Sequence, residues 1–262
     1  MYKKSTQDEL KTRRTTILNL LAENKSRMLT TDIADYLGVS EMTVRRDLQT
    51  LEQTNLVTRF HGGVRLNELP NHKNTAHCDI YLEGLKTSLA QRAATYIPSG
   101  STIFLNSSST AASVLSYVCQ DNLTLISNNL RLATMNLHSG ITVILTGGEI
   151  RSHKEALVGD IALRALEKVQ ANIAIMGCSG ISAQHGISTN NIHEANVNAR
   201  MIQNAHDLVI VVADHRKVGN DTNFNVTDLS HVDILITDTY ANTQSIREIE
   251  ELGVQVLQVS SD

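Results

Sequence analysis

Apolar residues in the first third of the chain recur at a helical spacing. Val44, Leu48 and Leu51 stand at i, i+4 and i+7, which places them on one face of a helix that must be buried. Ser40 stands before this run, where an N-cap residue belongs, and its hydroxyl can accept a hydrogen bond from an otherwise unpaired backbone N–H. The remaining positions are mostly polar or basic and stay available to a partner; they include Met42, Thr43, Arg45, Arg46, Gln49 and Gln53.

Two further helices are predicted before this one. The first extends from about residue 6 to residue 23. The second is short, with Thr30 or Thr31 as its cap and Gly38 at its end, because glycine readily adopts positive φ at a helix C-terminus. Its buried side carries Ile33, Ala34 and Leu37. A tight turn from Gly38 to Ser40 then gives the order helix, turn, helix.

Beyond residue 55 the pattern becomes that of strands. Residues 56–60 and 64–66 surround a glycine turn, which predicts a β-hairpin, or wing, beside the helices. Arg45 and Arg46 alone would indicate no more than a solvated helix face. Together with the turn, the cap and the wing, they favour a helix that inserts into the major groove of DNA. The residues expected to contact double-stranded DNA are Thr31, Ser40, Glu41, Met42, Thr43, Arg45, Arg46, Gln49, Arg59, His61, Gly62 and Arg65.

The segment 67–82 is polar with little periodicity and is predicted to link a first domain, 1–66, to a second, 83–262. The second domain alternates apolar runs with helical patterns, which favours an α/β fold with a doubly wound, largely parallel sheet covered on both faces. The predicted strands are 102–105, 124–127, 142–146, 173–176, 208–213, 234–237 and 254–259, and the predicted helices lie near 86–96, 110–119, 130–137, 160–168, 194–205 and 245–252.

Ligands of such sheets bind beyond the carboxyl ends of the strands. The hydroxyl-rich turn 106–110 opens a helix there and offers donors to an anion. The glycines at 147 and 148 would let backbone approach a ligand, and Arg151 and Lys217 would supply positive charge. The residues expected on these grounds to bind an effector are Asn106, Ser107, Ser108, Ser109, Thr110, Asn128, Asn129, Gly147, Gly148, Glu149, Arg151, Asp214 and Lys217.

A simpler explanation exists for each of these loops. Serine, asparagine and glycine make good turns between strands and helices, so any single loop is better explained as a turn than as a binding site. Several such loops at one sheet edge, together with Lys217, favour a binding site over turns of purely structural role. Their polar character suits a phosphorylated sugar or polyol better than an apolar molecule.

Charge and composition narrow the function classes. The formal net charge is −4, but residues 1–69 carry 11 Lys and Arg against 9 Asp and Glu, whereas residues 70–262 carry 12 against 18. Nucleic acid is therefore expected only at the N-terminal end. Cys78, Cys119 and Cys178 lie outside any C-x-x-C motif, so reduced thiols are expected and neither a metal site nor a cofactor is predicted. A polar N-terminus and the lack of a long apolar run indicate a cytoplasmic protein without a membrane segment.

Residues 30–34, 39–48 and 59–63 are similar almost throughout to the winged helix-turn-helix signature of the DeoR family, bacterial transcriptional regulators of sugar metabolism. The whole chain resembles this family, whose sensor domain is related to sugar-phosphate isomerases such as ribose-5-phosphate isomerase. The hallmarks of that domain appear as Thr146-Gly147-Gly148-Glu149, Gly159-Asp160, Glu194, Asp214 with Lys217, and Thr237-Asp238. The resemblance adds Glu194 to the expected effector-binding residues.

Two segments depart from the family pattern. The family usually has Asp-x-Gly-Thr-Thr after the first strand of the sensor domain. This chain has Asn106-Ser107-Ser108-Ser109-Thr110 there, with Ser108 in place of the glycine. Serine restricts the backbone of that turn. Arg216 precedes Lys217 where the family commonly has serine, which adds a positive charge beside the expected phosphate position.

The resemblance implies a repressor of a carbohydrate operon that a phosphorylated sugar releases from its operator. A homo-oligomer, dimer or tetramer, is expected because recognition helices usually pair across symmetric half-sites. The alternative is a sugar-phosphate isomerase or deaminase. Isomerisation needs a carboxylate base, and the loop 177–180, where the related isomerases carry carboxylates, has none. Glu194 and Lys217 fit binding as well as catalysis, so the prediction is a protein that is not an enzyme.

Overall fold

The computed structural model describes residues 10, 13, 14, 16–18, 20, 21, 27–53, 56–60, 62–66, 76–151 and 155–260. The chain divides into two compact units, Met1–Gly84 and Leu85–Asp262. Every described residue between positions 10 and 21 is helical, in agreement with the first predicted helix.

Two helices form the helix-turn-helix of the first unit. Helix α1 spans Thr30–Leu37 and helix α2 spans Glu41–Gln53. Gly38 ends α1 with a φ of 63°, so the turn predicted at this glycine is confirmed. The core beneath these helices is apolar, and each fully buried side chain contributes roughly 1.5 to 3 kcal/mol. It includes Ile17, Leu21, Ile33, Val44, Leu48, Leu51, Val57 and Val64.

A three-stranded antiparallel sheet completes the first unit. Its strands are β1 Arg27–Leu29, β2 Val57–Phe60 and β3 Gly63–Leu66, in the order β1-β3-β2. The hairpin of β2 and β3 confirms the predicted wing. Strand β1 was not predicted, because three residues are too few for an alternating pattern to be recognised.

The predicted cap of α1 is wrong. Thr30 is the first helical residue and is buried, and the N-cap is Leu29, whose side chain makes no capping hydrogen bond. Strand β1 runs directly into the helix, and the backbone N–H of Thr30 donates to the carbonyl oxygen of Gly62 at 3.0 Å. The wing thus satisfies a helix donor that a threonine hydroxyl was expected to satisfy.

Helix α3 spans Ala76–Ala94, and the boundary between the two units falls within it. Residues 76–82, predicted to be linker, are therefore helical. The sequence from 76 to 94 contains no proline and one glycine, so nothing in it interrupts a helix. The rest of the predicted linker, 67–75, lies outside the described residues.

The second unit is organised by a seven-stranded sheet. The strands of this unit are β4 Thr102–Leu105, β5 Leu123–Ser127, β6 Ile141–Leu145, β7 Glu149–Arg151, β8 Ala156–Val158, β9 Ala171–Gly177, β10 Gly180–Ser182, β11 Gly186–Thr189, β12 Ala205–Val212, β13 Phe224–Thr227, β14 Ile234–Asp238 and β15 Gln255–Val259. The large sheet has the order β15-β14-β12-β9-β4-β5-β6, and all its pairs are parallel. The predicted strands and parallel sheet are confirmed.

Both faces of this sheet are covered. Ile175 and Met176 are consecutive in β9 and belong to different buried clusters, because successive side chains of a strand point to opposite faces. This arrangement confirms the predicted doubly wound fold. The helices after α3 are α4 Ser109–Ser113, which continues as a 3₁₀ helix at Val114–Tyr117, then α5 Asp160–Leu166, α6 Ile192–Gln203 and α7 Thr243–Glu250.

The helix predicted near 130–137 is wrong beyond its first turn, since only a 3₁₀ helix at Leu130–Ala133 forms. Asn136, Ser139 and Gly140 follow it, and residues of these types have low helix propensity. Two small sheets were also not predicted: the antiparallel ribbon of β7 and β8, and the sheet β10-β11-β13. Their strands of three or four residues are too short to show a period.

The chain order reverses between β4 and β9, which are neighbours in the large sheet. From β4 the strands proceed through β5 to β6 on one side, and from β9 they proceed through β12 and β14 to β15 on the other. Such a reversal opens a crevice at the carboxyl ends of the strands, where ligands of open α/β sheets bind. The loops after β4 and β9 meet at this crevice.

Candidate nucleic-acid interface and effector site

Ser40 caps the helix α2. Its Oγ accepts a hydrogen bond from the backbone N–H of Thr43 at 3.2 Å and lies 2.9 Å from the Oγ1 of Thr43. The predicted N-cap is therefore confirmed. Glu41 and Met42 in the first turn are exposed, so the positive end of the helix dipole faces solvent, where it favours an anion.

The exposed face of α2 carries two arginines with different surroundings. Arg45 Nη2 lies 3.2 Å from Glu41 Oε2, an exposed ion pair across one helical turn. Arg46 is exposed and forms no ion pair with any described residue. Gln49 is exposed one turn further along. Arg46 can therefore meet a phosphate or a base without breaking an ion pair to any residue that the structure describes.

A buried carboxylate fixes α2 from its inner side. Asp47 is 1% exposed and accepts hydrogen bonds from Arg13 Nε at 2.6 Å and Arg14 Nε at 3.0 Å. These contacts tie the N-terminal helical residues to α2 and so set the orientation of its exposed face. Sequence analysis missed them, because more than 30 residues separate the partners and no local pattern links them.

The wing presents further basic side chains. The backbone N–H of Arg59 donates to Glu52 Oε1 at 3.1 Å, which ties β2 to the end of α2. Arg65 is exposed on β3, and Gly62 turns the hairpin with a φ of 81°. His61, also expected to contact DNA, lies outside the described residues.

Strand β1 adds an arginine that sequence analysis did not select. Arg27 is the register partner of Arg65, and its guanidinium carbon lies 4.3 Å from the centroid of the Phe60 ring. Two like charges directly opposite each other in a sheet are unfavourable unless an anion offsets them. Only the strand pairing reveals this neighbourhood, since 38 positions separate the two arginines in the sequence.

At the crevice of the large sheet, Asn106 joins the ends of β4 and β9. Its Nδ2 donates to the carbonyl oxygen of Gly177 at 2.8 Å, and its Oδ1 accepts from the Gly177 N–H at 3.0 Å. Both ends of this buried amide are engaged by the fold. Asn106 therefore positions the turn 106–110 on β9.

Ser108, which stands where the family usually has glycine, is the N-cap of α4. Its Oγ accepts a hydrogen bond from the N–H of Ala111 at 3.4 Å. A Cβ at position 177 would lie 1.9 Å from Ser108 Oγ, so the serine fits here because its neighbour is Gly177. Ser107 is half-buried, Ser109 is exposed and Thr110 is buried.

Asn128 and Asn129 follow β5 and are fully buried. Asn128 Nδ2 donates to the carbonyl oxygen of Leu157 at 3.1 Å, and Asn129 Oδ1 accepts from the N–H of Arg131 at 3.1 Å. The other amide atoms, Asn128 Oδ1 and Asn129 Nδ2, have no hydrogen-bond partner among the described residues. Such buried unpaired atoms are costly and call for an explanation.

The glycines after β6 serve the packing of the ribbon β7–β8. A Cβ on Gly148 would lie 2.4 Å from the carbonyl oxygen of Val158, and its φ is 111°. The close backbone approach expected here is therefore made by β8. Gly147 has a φ of 69°, and a Cβ there would lie 3.7 Å from the Ile161 side chain. Glu149 is exposed.

Arg151 and Glu194, both expected to bind the effector, are paired with each other. Arg151 Nη1 lies 2.7 Å from Glu194 Oε1, and the Glu194 side chain is 4% exposed. Asn191 caps α6 by accepting from the N–H of Glu194 at 3.1 Å, which fixes the carboxylate in the first turn of that helix. The ion pair ties β7 to α6.

After β12, the carboxylate of Asp214 lies close to the side chains of Arg216 and Lys217. Arg216 donates to both oxygens of Asp214, at 2.8 and 2.9 Å, and Lys217 Nζ lies 3.7 Å from the same carboxylate. Burial raises the pKa of Asp214, but the hydrogen bond from Arg216 and the charges of Lys217, Arg216 and His215 outweigh it and hold the pKa well below the ordinary 3.8. Asp214 thus offsets the extra charge expected from Arg216, and Lys217 is the more loosely held cation.

Cys178, in the loop after β9, is not an activated thiol. Burial raises its pKa to about 11, because desolvation outweighs the lowering effect of Lys217. The thiol is therefore protonated at neutral pH and is a poor nucleophile.

Sequence analysis also missed the pair of His215 and Asp238. His215 Nδ1 lies 2.9 Å from Asp238 Oδ1, and the N–H of His215 donates to Asp238 Oδ2 at 2.7 Å. The pair joins the ends of β12 and β14. Both residues stand near the end of an apolar run, and Asp238 belongs to the Thr237-Asp238 hallmark, but no spacing in the sequence links the two.

No group of three or more histidine, cysteine, aspartate or glutamate side chains suited to a metal ion occurs among the described residues. In the same part of the chain, no helix is long and apolar enough to cross a membrane.

Two family models match the chain. The model described as the DeoR C-terminal sensor domain matches residues 83–239, and the model described as a DeoR-like helix-turn-helix domain matches residues 13–69. The first of these alone covers more than half of the chain.

Relatives match over nearly the whole length. The chain is 31% identical over 239 residues to the uncharacterized HTH-type transcriptional regulator YulB of Bacillus subtilis, covering 90% of this chain and 92% of that one. It is 31% identical over 222 residues to the glycerol-3-phosphate regulon repressor of Escherichia coli, covering 83% and 87%. Ribose 5-phosphate isomerase A from Methanocaldococcus jannaschii matches with a TM-score of 0.36 and 16% identity, over 52% and 54% of the chains, which is too weak to carry an argument. From the family models and these relatives, the chain belongs to the DeoR family.

Proposed function

We propose that this chain is a DNA-binding transcriptional repressor of a carbohydrate-utilisation operon, released from its operator by a phosphorylated sugar or polyol bound in the second unit. The observation that carries the proposal is the Ser40-capped helix α2, whose exposed face presents Arg46 within a winged helix-turn-helix. Membership in the DeoR family and relatives named as transcriptional regulators support it.

On the DNA side, we assign base or phosphate contacts to the exposed residues of α2 and to the wing. Thr31, Ser40 and Thr43 can bind phosphates through hydroxyls and helix N–H groups, and Arg46 and Gln49 can reach base edges. Arg59 and Arg65 would lie along the backbone beside the groove. Arg27, adjacent to Arg65, extends this basic row.

On the effector side, we assign the anionic group of the ligand to the crevice between β4 and β9. The turn 106–110 offers backbone N–H groups and hydroxyls, and Lys217 adds charge that Asp214 holds only at 3.7 Å. Arg151 and Glu194 would contribute through the ion pair they form with each other.

The rival function, sugar-phosphate isomerisation or deamination, has less support. Asp214, Glu194 and Asp238 are each paired, with Arg216, Arg151 and His215 respectively, and no carboxylate lies in the loop 177–180. A general base needs an available carboxylate near the substrate carbon. We therefore propose a sensor without catalytic activity.

Sheared genomic DNA from the source organism, captured on the purified chain and sequenced, tests the proposal. We expect enrichment of a symmetric site upstream of carbohydrate genes, and release of that site by one member of a panel of sugar and polyol phosphates. Capture without sequence preference would contradict the regulator, and turnover of a panel member would favour the enzyme. Sedimentation of the chain with the selected site would give the number of protomers bound, which we expect to be two or four.

A further inference from the structure

Three buried asparagines in the second unit have amide atoms that the fold leaves unpaired. Asn128 Oδ1, Asn129 Nδ2 and Asn198 Oδ1 have no hydrogen-bond partner among the described residues. Asn128 and Asn129 are 0% exposed and Asn198 is 4% exposed. A buried amide atom without a partner costs roughly 1 to 3 kcal/mol, so three in one unit require a reason.

The three side chains lie on segments that contact the same short strand, β8. Asn128 bonds to Leu157 through both its side chain and its backbone, at 3.1 and 2.8 Å. Asn129 forms a β-bridge with Ala156. Helix α6, which carries Asn198, also contacts β8.

Asn198 faces the same side as the ion pair of the expected effector site. It stands four residues after Glu194 on α6, so the two side chains share one face of the helix. Glu194 uses that face to reach Arg151 at 2.7 Å. Sequence analysis did not select Asn198, because one asparagine within an amphipathic helix carries no local signal.

The orientation of two of these amides is set by the fold. Because Asn128 Nδ2 is used by Leu157, its Oδ1 remains as an acceptor, and because Asn129 Oδ1 is used by Arg131, its Nδ2 remains as a donor. Neutral donors and acceptors fixed in this way match hydroxyl groups, which both donate and accept. They do not match a second phosphate, which would require cations.

We propose that Asn128, Asn129 and Asn198 form a subsite for the hydroxyl groups of a polyhydroxylated effector, and that Asn198 is a residue that determines effector specificity. This inference rests on the proposed function, in which the anionic group of the same ligand occupies the crevice of the sheet. The subsite discriminates against a ligand without hydroxyls because such a ligand would leave the buried amides unpaired.

Thermal unfolding of the full chain with inorganic phosphate, glycerol 3-phosphate, glucose 6-phosphate and fructose 6-phosphate, at matched ionic strength, tests the subsite. In the wild-type chain we expect a hexose phosphate to raise the Tm more than inorganic phosphate does. Asn198→Ala should weaken the apparent affinity for that hexose phosphate about tenfold, with an unchanged response to inorganic phosphate. Asn196→Ala, on the exposed side of the same helix, is the matched control and should leave both responses unchanged.

Two further variants keep the test decisive. Asn198→Leu keeps a side chain that branches at Cγ but removes the amide, and Asn128→Leu removes an acceptor from outside α6. Each should lose the same selectivity. If Asn198 serves folding alone, its variants will lower the Tm of the free chain and leave the ratio of the hexose phosphate and inorganic phosphate responses unchanged. That result would overturn the subsite. So would a wild-type chain whose Tm rises no more with any sugar or polyol phosphate than with inorganic phosphate.

Release of captured DNA separates this inference from the proposed function. Loss of hexose-phosphate selectivity in the Asn198 variants, with normal DNA binding, supports the subsite whether or not the ligand releases DNA. A wild-type chain that binds a hexose phosphate selectively but keeps its DNA would contradict the release mechanism and leave the subsite intact.

Discussion

At the scale of single residues, the adjacent arginines Arg45 and Arg46 on α2 have different surroundings. Arg45 shares its charge with Glu41 at 3.2 Å, whereas Arg46 is exposed without an ion pair among the described residues. An exposed pair of this kind is worth only a few tenths of a kcal/mol. Both side chains can therefore contact DNA, but only Arg45 must first break an ion pair with a described residue.

We expect Arg46→Ala to weaken binding to the selected DNA site. The loss should be about 1 to 3 kcal/mol and specific to one base pair if Arg46 reads a base. If it contacts a phosphate, the loss should be uniform across sequences and the salt slope should fall by about 1. Titrations at two salt concentrations measure both quantities. Arg247→Ala, which removes an exposed charge from α7, is the control, and equal affinity of the two variants would exclude Arg46 from the interface.

The low pKa of Asp214 is expected to make the stability of the second unit depend on pH. Its pKa in the folded chain lies below the ordinary value of 3.8, so the unfolded chain binds this proton first. The stabilisation is therefore complete above about pH 4 and is lost as the pH falls towards the folded-state pKa. We expect Asp214→Asn to cost roughly 1.5 to 3 kcal/mol at neutral pH, because Arg216 loses a charged acceptor.

Urea unfolding at several pH values measures this difference. The gap between wild type and Asp214→Asn should narrow below pH 4, whereas Asp228→Asn, at an aspartate without an ion pair among the described residues, should show no such gap. A gap that stays constant down to pH 2 would mean that Asp214 does not carry the acid dependence.

The ribbon β7–β8 shows how an element depends on a single glycine. Gly148 has a φ of 111°, and a Cβ there would lie 2.4 Å from the carbonyl oxygen of Val158. A Cβ on Gly84 in α3 would meet no described atom within 4 Å. We expect Gly148→Ala to destabilise the chain by more than about 1 kcal/mol. Gly84→Ala should be neutral or stabilising by up to about 1 kcal/mol, because alanine favours a helix. Chemical unfolding of both variants checks the contrast, and a neutral Gly148→Ala would show that the ribbon can shift.

Gly148, which follows β6, packs against the protein's own backbone. Gly147 and Gly148 were expected to admit a ligand, but the backbone that approaches Gly148 belongs to β8. Hydrogen bonds from Asn128 and the ion pair of Arg151 with Glu194 then join the ribbon to the large sheet and to α6. We propose that the ribbon forms part of the wall of the expected effector site.

For the molecule as a whole, the proposed regulation requires an effector to bind the DNA-competent and DNA-incompetent states unequally. Lys217 is the test residue because Asp214 holds it only at 3.7 Å. We expect Lys217→Ala to bind the selected DNA as the wild type does and to need a higher effector concentration for release. Lys168→Ala, an exposed charge removed from the same unit, should release normally. Release of the Lys217 variant at an unchanged concentration would remove that lysine from the site.

Local patterns were sufficient for much of this protein. The spacing of Val44, Leu48 and Leu51, the cap at Ser40 and the turn at Gly38 determined the helix-turn-helix, because helix periodicity and capping act over a few residues. Continuous apolar runs likewise determined the seven parallel strands, and the resemblance in the same residues determined the family.

Only the tertiary structure decided which polar groups from distant parts of the sequence pair with each other. It paired Arg13 and Arg14 with Asp47, Arg151 with Glu194, and His215 with Asp238. It moved the start of α1 to Thr30, because the wing supplies the partner for that backbone N–H. It also packed the segments that carry Asn128, Asn129 and Asn198 against β8, with an amide atom of each unpaired among the described residues. Burial and hydrogen bonding between distant segments depend on the packing of the whole unit, which no local spacing encodes.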